Sequence, residues 1–216
     1  MINEIEWKTS NNPVEYTFAV SEMKRRVLKI KRNCACEMIW LLEHSSIFTA
    51  GTSAKLEDLK NNNINFQYTG RGGEWTWHGP GQRVVYLMLN LRKRSQDVKA
   101  YVCALEELII LTLKDFYING VRINGQPGVW VKGDDGCDKI AALGIRISSW
   151  ITFHGISINV NPNLDEFNNI VPCGIKNSGV TSFYKLGKKI SLKELDISLK
   201  KNFNKVFGNE GLFKLK

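Results

Sequence analysis

The stretch from 139 to 160 reads KIAALGIRISSWITFHGISINV and contains two apolar segments rich in isoleucine. Two shorter segments precede it, GVRING at 120–125 and GVWVKG at 128–133. Glycines and turn residues separate the four segments at close spacing, a pattern typical of β-strands. The middle of the chain is therefore predicted to form a cluster of strands.

Helical patterns flank this cluster. Between 97 and 117 apolar residues recur at helical spacing, and Glu106 and Glu107 are predicted to lie off the apolar face. Ser191 and Glu194 fit a capping box that opens a last helix, running to about 207. With further strands predicted at 37–43, 64–69 and 83–91, these patterns indicate an α+β fold.

The N-terminal part of the chain predicts one more helix. Asn12 and Pro13 resemble an N-cap followed by a first-turn proline, and apolar residues recur from 14 to 30. The segment EMIWLLE at 37–43 indicates a buried strand, and HSSIFTAGTS at 44–53 is interpreted as the loop that follows it.

Length and composition indicate a single globular domain spanning 1–216. Hydrophobic residues make up 43% and charged residues 24% of the chain, and no apolar run is long enough to span a bilayer. The first ten residues lack the features of a secretory signal or transit peptide, so a cytoplasmic location is expected. The formal net charge of +9 favours an acidic partner, either nucleic acid or an acidic protein, unless it reflects solvated surface lysines.

The cysteines and histidines do not predict a metal site. The five cysteines form an odd, unpatterned set, which indicates reduced thiols. No close Cys or His pair completes a site with Cys34 and Cys36, and the histidines at 44, 78 and 154 lie far apart in the sequence.

The stretch RGGEWTWHGPGQ at 71–82 combines turn-forming glycines with two tryptophans. It is predicted to join two strands and to line a pocket, with aromatic walls and backbone N–H groups that can steady a substrate carbonyl. The glycines at 70, 72, 73, 79 and 81 do not follow the order of a phosphate-binding loop.

Four residues are candidates for chemistry. Cys173 lies between Pro172 and Gly174, so its thiol is predicted on a turn, either as a small buried side chain or as a nucleophile. A nucleophilic thiol needs a nearby cation, and Lys139 is either that cation or a surface lysine. His78 is an alternative base, whereas His154 is interpreted as a packed, hydrogen-bonded structural residue.

Four groups of segments together carry a resemblance to a known family. EHSSIFTAG, RGGEWTWHGPGQ, KIAALGIRI with HGISINVN, and VPCGI with GVTSF occur in an order and spacing that resemble the octanoyltransferases, the lipoate-protein ligase B family. The resemblance extends from about 43 to 183. It implies the fold of the biotin and lipoate protein ligases, with a mixed β-sheet core flanked by helices.

The resemblance also implies an activity in protein lipoylation. An acyltransferase of this family moves an octanoyl or lipoyl group from octanoyl-acyl carrier protein to a lysine of a lipoyl carrier domain. The acceptors are lipoyl domains of 2-oxoacid dehydrogenase E2 subunits and the glycine cleavage H protein. No cofactor, metal, nucleic acid or membrane is implied, and a monomer is expected.

By the same similarity, Cys173 is the acyl-thioester nucleophile and Lys139 activates it and handles protons. The implied substrate-binding residues are Arg71, Gly72, Gly73, Glu74, Trp75, Thr76, Trp77, His78, Ala142, Leu143, Gly144, Gly155, Ile156 and Ser157. Phe48 is a further candidate wall for the acyl chain. Trp77 replaces a more usual tyrosine and Ser157 a common alanine, and both changes bear on the preferred chain length.

Three other functions remain open from the sequence. An ATP-dependent lipoate or biotin ligase would share the fold and need no cysteine nucleophile. A basic nucleic-acid-binding module would show salt-sensitive affinity and no acyl chemistry. A Cys/His hydrolase would use His78 as its base and release free acid.

Overall fold

The computed structural model describes residues 5–61, 63–133, 136–171, 179–208 and 210–213. The predicted nucleophile Cys173 and its neighbours Pro172 and Gly174 lie outside the described residues. Across the described ranges, no helix combines the length and apolarity needed to cross a membrane.

The strands and α-helices of the described ranges are numbered in chain order. The strands are β1 (Glu6–Thr9), β2 (Met38–Leu42), β3 (Ile47–Ala50), β4 (Phe66–Tyr68), β5 (Trp75–His78), β6 (Gln82–Met88), β7 (Gly120–Ile123), β8 (Gln126–Gly133), β9 (Gly136–Ser148) and β10 (Ile151–Asn159). The helices are α1 (Tyr16–Lys31), α2 (Val98–Lys114) and α3 (Leu192–Phe207).

Seven of these strands form one large mixed sheet in the order β1-β2-β6-β10-β9-β8-β7. Strands β1 and β2 are parallel, and the remaining neighbours are antiparallel. The stretch at 139–160 supplies most of β9 and all of β10, which pair with each other near the centre of the sheet. The predicted mixed sheet with flanking helices is confirmed.

The two faces of the large sheet carry different layers. On β6, Val85 and Leu87 face a core built with α2 and α3, whereas Val84 and Tyr86 face a second core built with α1. This alternation follows from the two-residue period of a strand. The cavity described below lies on the α1 side.

Helix α1 begins later than the sequence pattern predicted. The N-cap is Glu15, whose carboxylate accepts a hydrogen bond from the Phe18 N–H at 2.7 Å. The prediction of Asn12 as the cap was wrong because the chain before the helix is held extended. The N–H of Val14 donates to the Glu43 carbonyl at 2.8 Å, and Val14 forms a bridge with His44.

Helices α2 and α3 lie where they were predicted, with one difference. Ser191 and Glu194 form the capping box of α3. Glu106 on α2 is buried, contrary to the prediction that it lies off the apolar face. Its carboxylate accepts a hydrogen bond from the Gly128 N–H at 3.1 Å and pairs with Arg122 at 3.2 Å, so polar partners from β7 and β8 compensate its burial.

A second sheet has three strands, of which the sequence patterns predicted β4, at 64–69, and missed the other two. Its order is β4-β3-β5, with β3 in the segment interpreted as a loop and β5 in the middle of the glycine-rich stretch. The aromatic side chains explain this outcome. The Trp75 ring meets Phe66 edge to face at 4.8 Å and the Trp77 ring meets Phe167 at 5.7 Å, so the tryptophans form a small core and not a turn.

Candidate active site

A cavity of about 250 Å³ lies between β5 of the small sheet and β9 and β10 of the large sheet. This volume is just below the range of about 300–1,000 Å³ that is usual for small-molecule sites. Helix α1 contributes Tyr16 to its lining, and β6 contributes Val84 and Tyr86. A short second pocket continues past Lys139 to Asn159 and Val180.

Most of the residues that the family resemblance assigns to the site line this cavity. They are Arg71, Gly73, Glu74, Trp75, Thr76, His78, Lys139, Ala142, Leu143, Gly144, Gly155, Ile156 and Ser157. The lining also contains Ser53, Gly125, Gln126 and Pro127, for which no role was predicted, and His154, which was interpreted as a structural residue.

Trp77 and Gly72 lie outside the cavity lining. The Trp77 ring is buried in the core of the small sheet, and its Nε1 donates to Ser46 Oγ at 2.9 Å. Its bulk therefore does not narrow the cavity. Phe48 packs in the same core.

Gly144 allows the loop before β5 to lie directly on the large sheet, and Gly155 allows β10 to approach β6 closely. Gly144 and Gly155 face each other across β9 and β10. A Cβ at Gly144 would lie 3.0 Å from Arg71 Cδ, and one at Gly155 would lie 2.1 Å from the Val85 carbonyl oxygen. Larger residues at these positions would displace Arg71 or separate the central strands.

The glycine-rich stretch at 71–82 uses some of its backbone N–H groups within the protein. Gly72 donates to the Ile145 carbonyl at 3.0 Å, and Gly81 donates to the Glu43 carboxylate at 2.7 Å. These two amides are therefore engaged and do not serve as donors to a substrate oxyanion.

Lys139 is buried, with 5% of its surface exposed. Its Nζ donates to the Pro127 carbonyl at 3.2 Å and lies 4.5 Å from the centroid of the Trp130 ring. The Lys139 N–H donates to the Gly179 carbonyl at 2.9 Å, and the Lys139 carbonyl accepts from the Thr181 N–H at 3.0 Å. The chain that follows the segment bearing Cys173 is thus bound to both main-chain groups of Lys139.

A chain of hydrogen bonds between buried side chains links β5 to the main chain next to Lys139. His78 Nδ1 and Gln82 Oε1 are 2.6 Å apart. The Gln82 amide nitrogen donates to Asn159 Oδ1 at 3.0 Å, which leaves the Gln82 oxygen as the acceptor and His78 Nδ1 as the donor. Asn159 Nδ2 donates to the Thr181 carbonyl at 3.0 Å, which completes this line of hydrogen bonds. Asn159 was missed because the sequence shows it only as one polar residue at the end of a predicted strand, and its partners Gln82 and Thr181 are remote in the chain.

Replacing Asn159 with leucine tests the importance of this line. The change leaves the Gln82 amide and the Thr181 carbonyl without their partner in a buried setting, and we expect the free energy of unfolding to fall by about 1–3 kcal/mol. Urea unfolding measures the loss, with the exposed Asn11→Leu as the matched control. Equal stability of the two variants would contradict the prediction.

All three histidines of the chain meet near the cavity, although they are far apart in sequence. The His44 and His78 ring centroids are 5.7 Å apart, and Tyr86 contacts His44 at 5.7 Å and His154 at 5.9 Å. His44 Nδ1 donates to the Val14 carbonyl at 2.6 Å, and the Tyr86 hydroxyl donates to His44 Nε2 at 2.7 Å. Among the described residues, no group of histidine, cysteine or acidic side chains forms a set that could hold a metal.

These histidines are neutral at neutral pH. Burial, reinforced by neighbouring His44, lowers the pKa of His78 to about 3. Burial, followed by the charges of Arg71 and Arg146, lowers the pKa of His154 to about 3, and burial also lowers the pKa of His44. His78 is therefore a poor general base at neutral pH, which disfavours the hydrolase alternative.

His154 differs from its sequence interpretation. It is packed, with 3% of its surface exposed, but its Nδ1 has no hydrogen-bond partner among the described residues. It also lines the cavity, and its φ of 57° places it in the left-handed region. The only sequence signal for a position of His154 in the cavity lining was that it precedes a glycine inside a predicted strand.

Acid is expected to destabilise the protein because of this histidine cluster. The folded pKa values of His78 and His154, about 3, lie below the ordinary value of 6.5, so the unfolded chain binds more protons between these limits. The contribution to stability is complete above pH 6.5 and is lost as the pH falls toward 3, at up to about 1.4 kcal/mol per pH unit for each histidine. Urea midpoints between pH 7 and pH 4 measure this loss.

The variant His154→Asn provides the comparison. It removes one titrating group, so its urea midpoint should depend less steeply on pH than that of the wild type. Parallel pH profiles for the two proteins would show that His154 does not contribute.

Comparison with known proteins identifies the family. Residues 15–204 match the family model of the lipoyl protein ligase A/B catalytic domain. An octanoyltransferase of Bartonella tribocorum is 51% identical over 215 residues, which cover 94% of this chain and 87% of the relative. An octanoyltransferase of Paramagnetospirillum magneticum is 47% identical over 206 residues, covering 94% of this chain and 97% of the relative.

A solved structure supports the same fold at much lower sequence identity. A bipartite lipoate protein ligase from Thermoplasma acidophilum superposes with a TM-score of 0.67 at 13% identity, covering 93% of this chain and 83% of that chain. The sequence resemblance to octanoyltransferases and the fold expected from it are confirmed. The chain belongs to the lipoyl protein ligase A/B catalytic family and, within it, to the octanoyltransferases.

Proposed function

We propose that the protein transfers an octanoyl group from octanoyl-acyl carrier protein to a lysine of a lipoyl carrier domain, through a thioester on Cys173. The observation that carries this proposal is the cavity beside the buried Lys139. Its lining is assembled from the positions that the family resemblance assigns to substrate, and close relatives are octanoyltransferases.

The dimensions of the cavity support an acyl group of medium length. Consecutive residues of β10 from His154 to Ser157 line it, a distance of about 10 Å at 3.4 Å per residue. An eight-carbon chain has seven carbon–carbon bonds of about 1.5 Å and so cannot exceed roughly 11 Å. An octanoyl chain therefore matches the length of the cavity along this strand.

The first proposed step is thioester exchange. The Cys173 thiolate attacks the carbonyl carbon of the donor thioester, and the thiolate of the carrier protein leaves with the bond electrons. This leaving thiolate takes a proton from the Lys139 ammonium, which becomes a neutral amine for the second step. One thioester replaces another, so the step is nearly balanced in energy and uses no nucleotide. No cofactor enters the reaction.

The second proposed step forms the amide. The neutral amine of the acceptor lysine attacks the Cys173 thioester, and the Cys173 thiolate leaves. We assign Lys139 Nζ as the group that takes the proton lost by the attacking nitrogen. The remaining backbone amides of the glycine-rich stretch are the proposed donors to the oxyanion of both tetrahedral intermediates.

Arg71 forms a fixed part of the cavity wall. Its guanidinium donates hydrogen bonds of 2.8 Å to the Thr49 carbonyl and to the Thr49 hydroxyl, so its position in the lining is set within the protein.

The proposed partners follow from this chemistry. The acceptors are lipoyl domains of 2-oxoacid dehydrogenase E2 subunits and the glycine cleavage H protein, and the donor is an acidic carrier protein attracted by the net charge of +9. We propose that the protein acts as a cytoplasmic monomer without nucleic acid or membrane. Binding of the carrier protein should weaken as salt is raised.

Intact-protein mass spectrometry tests the proposal. Incubation with octanoyl-acyl carrier protein should add the mass of one octanoyl group at Cys173. Addition of a lipoyl domain should remove that mass from the enzyme and add it to the domain. Transfer without any adduct would exclude the cysteine mechanism. A requirement for ATP with free octanoate or lipoate would favour a ligase, which the shared fold alone does not exclude.

A further inference from the structure

A side pocket of about 20 Å³ adjoins the cavity beside Lys139. This volume holds one group of about the size of a water molecule, such as a single carbonyl oxygen. The residues that line both the side pocket and the cavity are Thr76, Lys139, Ala142 and Ser157. The two spaces therefore meet at these residues, and a chain that fills the cavity can place one oxygen atom in the side pocket.

Thr76 faces the side pocket because of its place in β5. Trp75 and Trp77, on either side of it, pack in the core of the small sheet, so the two-residue period of the strand turns Thr76 the other way. The residue is 8% exposed, and its hydroxyl has no hydrogen-bond partner among the described residues. The hydroxyl is not one of the unpaired atoms that the protein encloses completely, so it retains accessible surface.

Ser157 reaches the same side pocket from β10. Its neighbours Ile156 and Ile158 pack in the core on the α2 and α3 side, so the Ser157 side chain faces the cavity. The residue is 6% exposed. Within the described ranges its hydroxyl is also unpaired, and it too retains accessible surface. Two available hydroxyls thus converge on a space that fits one oxygen atom.

The other polar side chains of the side pocket are engaged within the protein. The Gln82 amide nitrogen donates to Asn159 Oδ1 and to the Trp77 carbonyl, and Asn159 Nδ2 donates to the Thr181 carbonyl. Within the described part of the chain, no carboxylate lines the side pocket. Hydroxyl donors without a nearby carboxylate suit an electron-rich oxygen of a ligand.

The side pocket also lies at the correct end of the cavity for a reacting carbonyl. Ser157 pairs with Ala142, three positions from Lys139 on β9. From Ser157, the cavity follows β10 back to His154, a distance of about 10 Å at 3.4 Å per residue. An octanoyl group with its carbonyl at Ser157 therefore has its alkyl chain along this strand, within the length of the cavity.

We propose that the Thr76 and Ser157 hydroxyls bind the carbonyl oxygen of the acyl group in the side pocket and donate hydrogen bonds to the oxyanion. The inference rests on the proposed acyl transfer and adds two side-chain donors to the backbone amides. Negative charge moves onto this oxygen when the Cys173 thiolate or the acceptor amine attacks the carbonyl carbon. It returns to the carbonyl bond when the thiolate leaves. Donors placed at this oxygen stabilise the transition state more than the bound substrate, so they act on kcat.

Two variants test the proposal, because each removes one hydroxyl with little change in shape. Thr76→Val and Ser157→Ala should each lower kcat by about tenfold or more, as for one lost hydrogen bond to a charged oxygen, with KM within about threefold of wild type. Single-turnover formation and discharge of the Cys173 adduct should both slow, since the same oxygen carries the charge in both steps. Thr76→Ser keeps the hydroxyl and should transfer within about threefold of the wild-type rate.

Exposed strand residues provide the matched controls. Thr9→Val on β1 and Ser148→Ala on β9 make the same chemical changes outside the cavity lining and should leave transfer unchanged.

The outcomes separate this proposal from the transfer mechanism. Wild-type kcat in both Thr76→Val and Ser157→Ala, or an effect confined to KM, would overturn the oxyanion pocket. A Thr76→Ser variant as slow as Thr76→Val would also overturn it, because the shape of the side chain and not its hydroxyl would then matter. Transfer by the wild type without a Cys173 adduct would refute the cysteine mechanism alone. Direct attack of the lysine also forms an oxyanion, so the same variants would still decide.

Discussion

The variant Cys173→Ala is expected to lose octanoyl transfer almost completely, by about 10⁴- to 10⁶-fold in kcat, as when the nucleophile of another acyl-transfer enzyme is removed. Without the thiol, no acyl-enzyme forms and the acceptor lysine must attack the carrier thioester directly. Mass spectrometry should show no octanoyl adduct on the variant. A gel-shift or mass assay of the acceptor domain measures the residual transfer.

The cysteines Cys34 and Cys103 provide the control, since both are exposed and free. Their alanine variants should keep both adduct formation and transfer. Full activity of Cys173→Ala would remove the covalent mechanism and leave direct transfer as the reaction.

Lys139→Met is expected to slow transfer by about 10²- to 10⁴-fold, the usual contribution of a proton-transfer group. Methionine has a similar length, and its thioether can replace the cation–π contact of Lys139 Nζ with Trp130 by a sulfur–aromatic contact, so the fold should tolerate it. The variant loses the nitrogen that we propose takes the proton from the attacking lysine. Single-turnover rates of adduct formation and of adduct discharge, measured separately, show which step depends on Lys139.

The thermal midpoint distinguishes a chemical role from a structural one. Loss of the hydrogen bond to the Pro127 carbonyl should lower stability by no more than about 1–3 kcal/mol, so a variant that is slow but still folded at the assay temperature supports the assignment. Lys29→Met, at an exposed site on α1, is the matched control and should transfer at the wild-type rate. A Lys139→Met enzyme of normal rate would contradict the proposed proton acceptor.

Local patterns predicted much of the fold. Asp97 and Ser191 mark the starts of α2 and α3 through side-chain caps that depend only on neighbouring residues. The isoleucine-rich segments at 139–160 predicted β9 and β10 for the same reason. The cavity lining came mostly from the family resemblance, because motif positions from four separate segments had to be combined.

Long-range packing accounts for what the sequence did not predict. Strand β5 forms because Trp75 and Trp77 pack against aromatic side chains of other segments. The glycines on both sides of it predict turns, so the sequence pattern alone does not indicate this strand. The convergence of the histidines depends on pairing between β6 and β10, and no spacing in the sequence indicates it. Asn159 acts through Gln82 and Thr181, which are remote from it in the chain.

The main-chain hydrogen bonds between Lys139 and the residues at 179–181 limit which segments of this protein can be exchanged with those of relatives. A designer who exchanges the Cys173 segment with that of a relative also replaces the groups that hold Lys139 in position. The proposed nucleophile and the proposed proton acceptor are thus linked through the main chain, although 34 positions separate them in the sequence (173 minus 139). Functional chimeras should therefore exchange β9 and the Cys173 segment together.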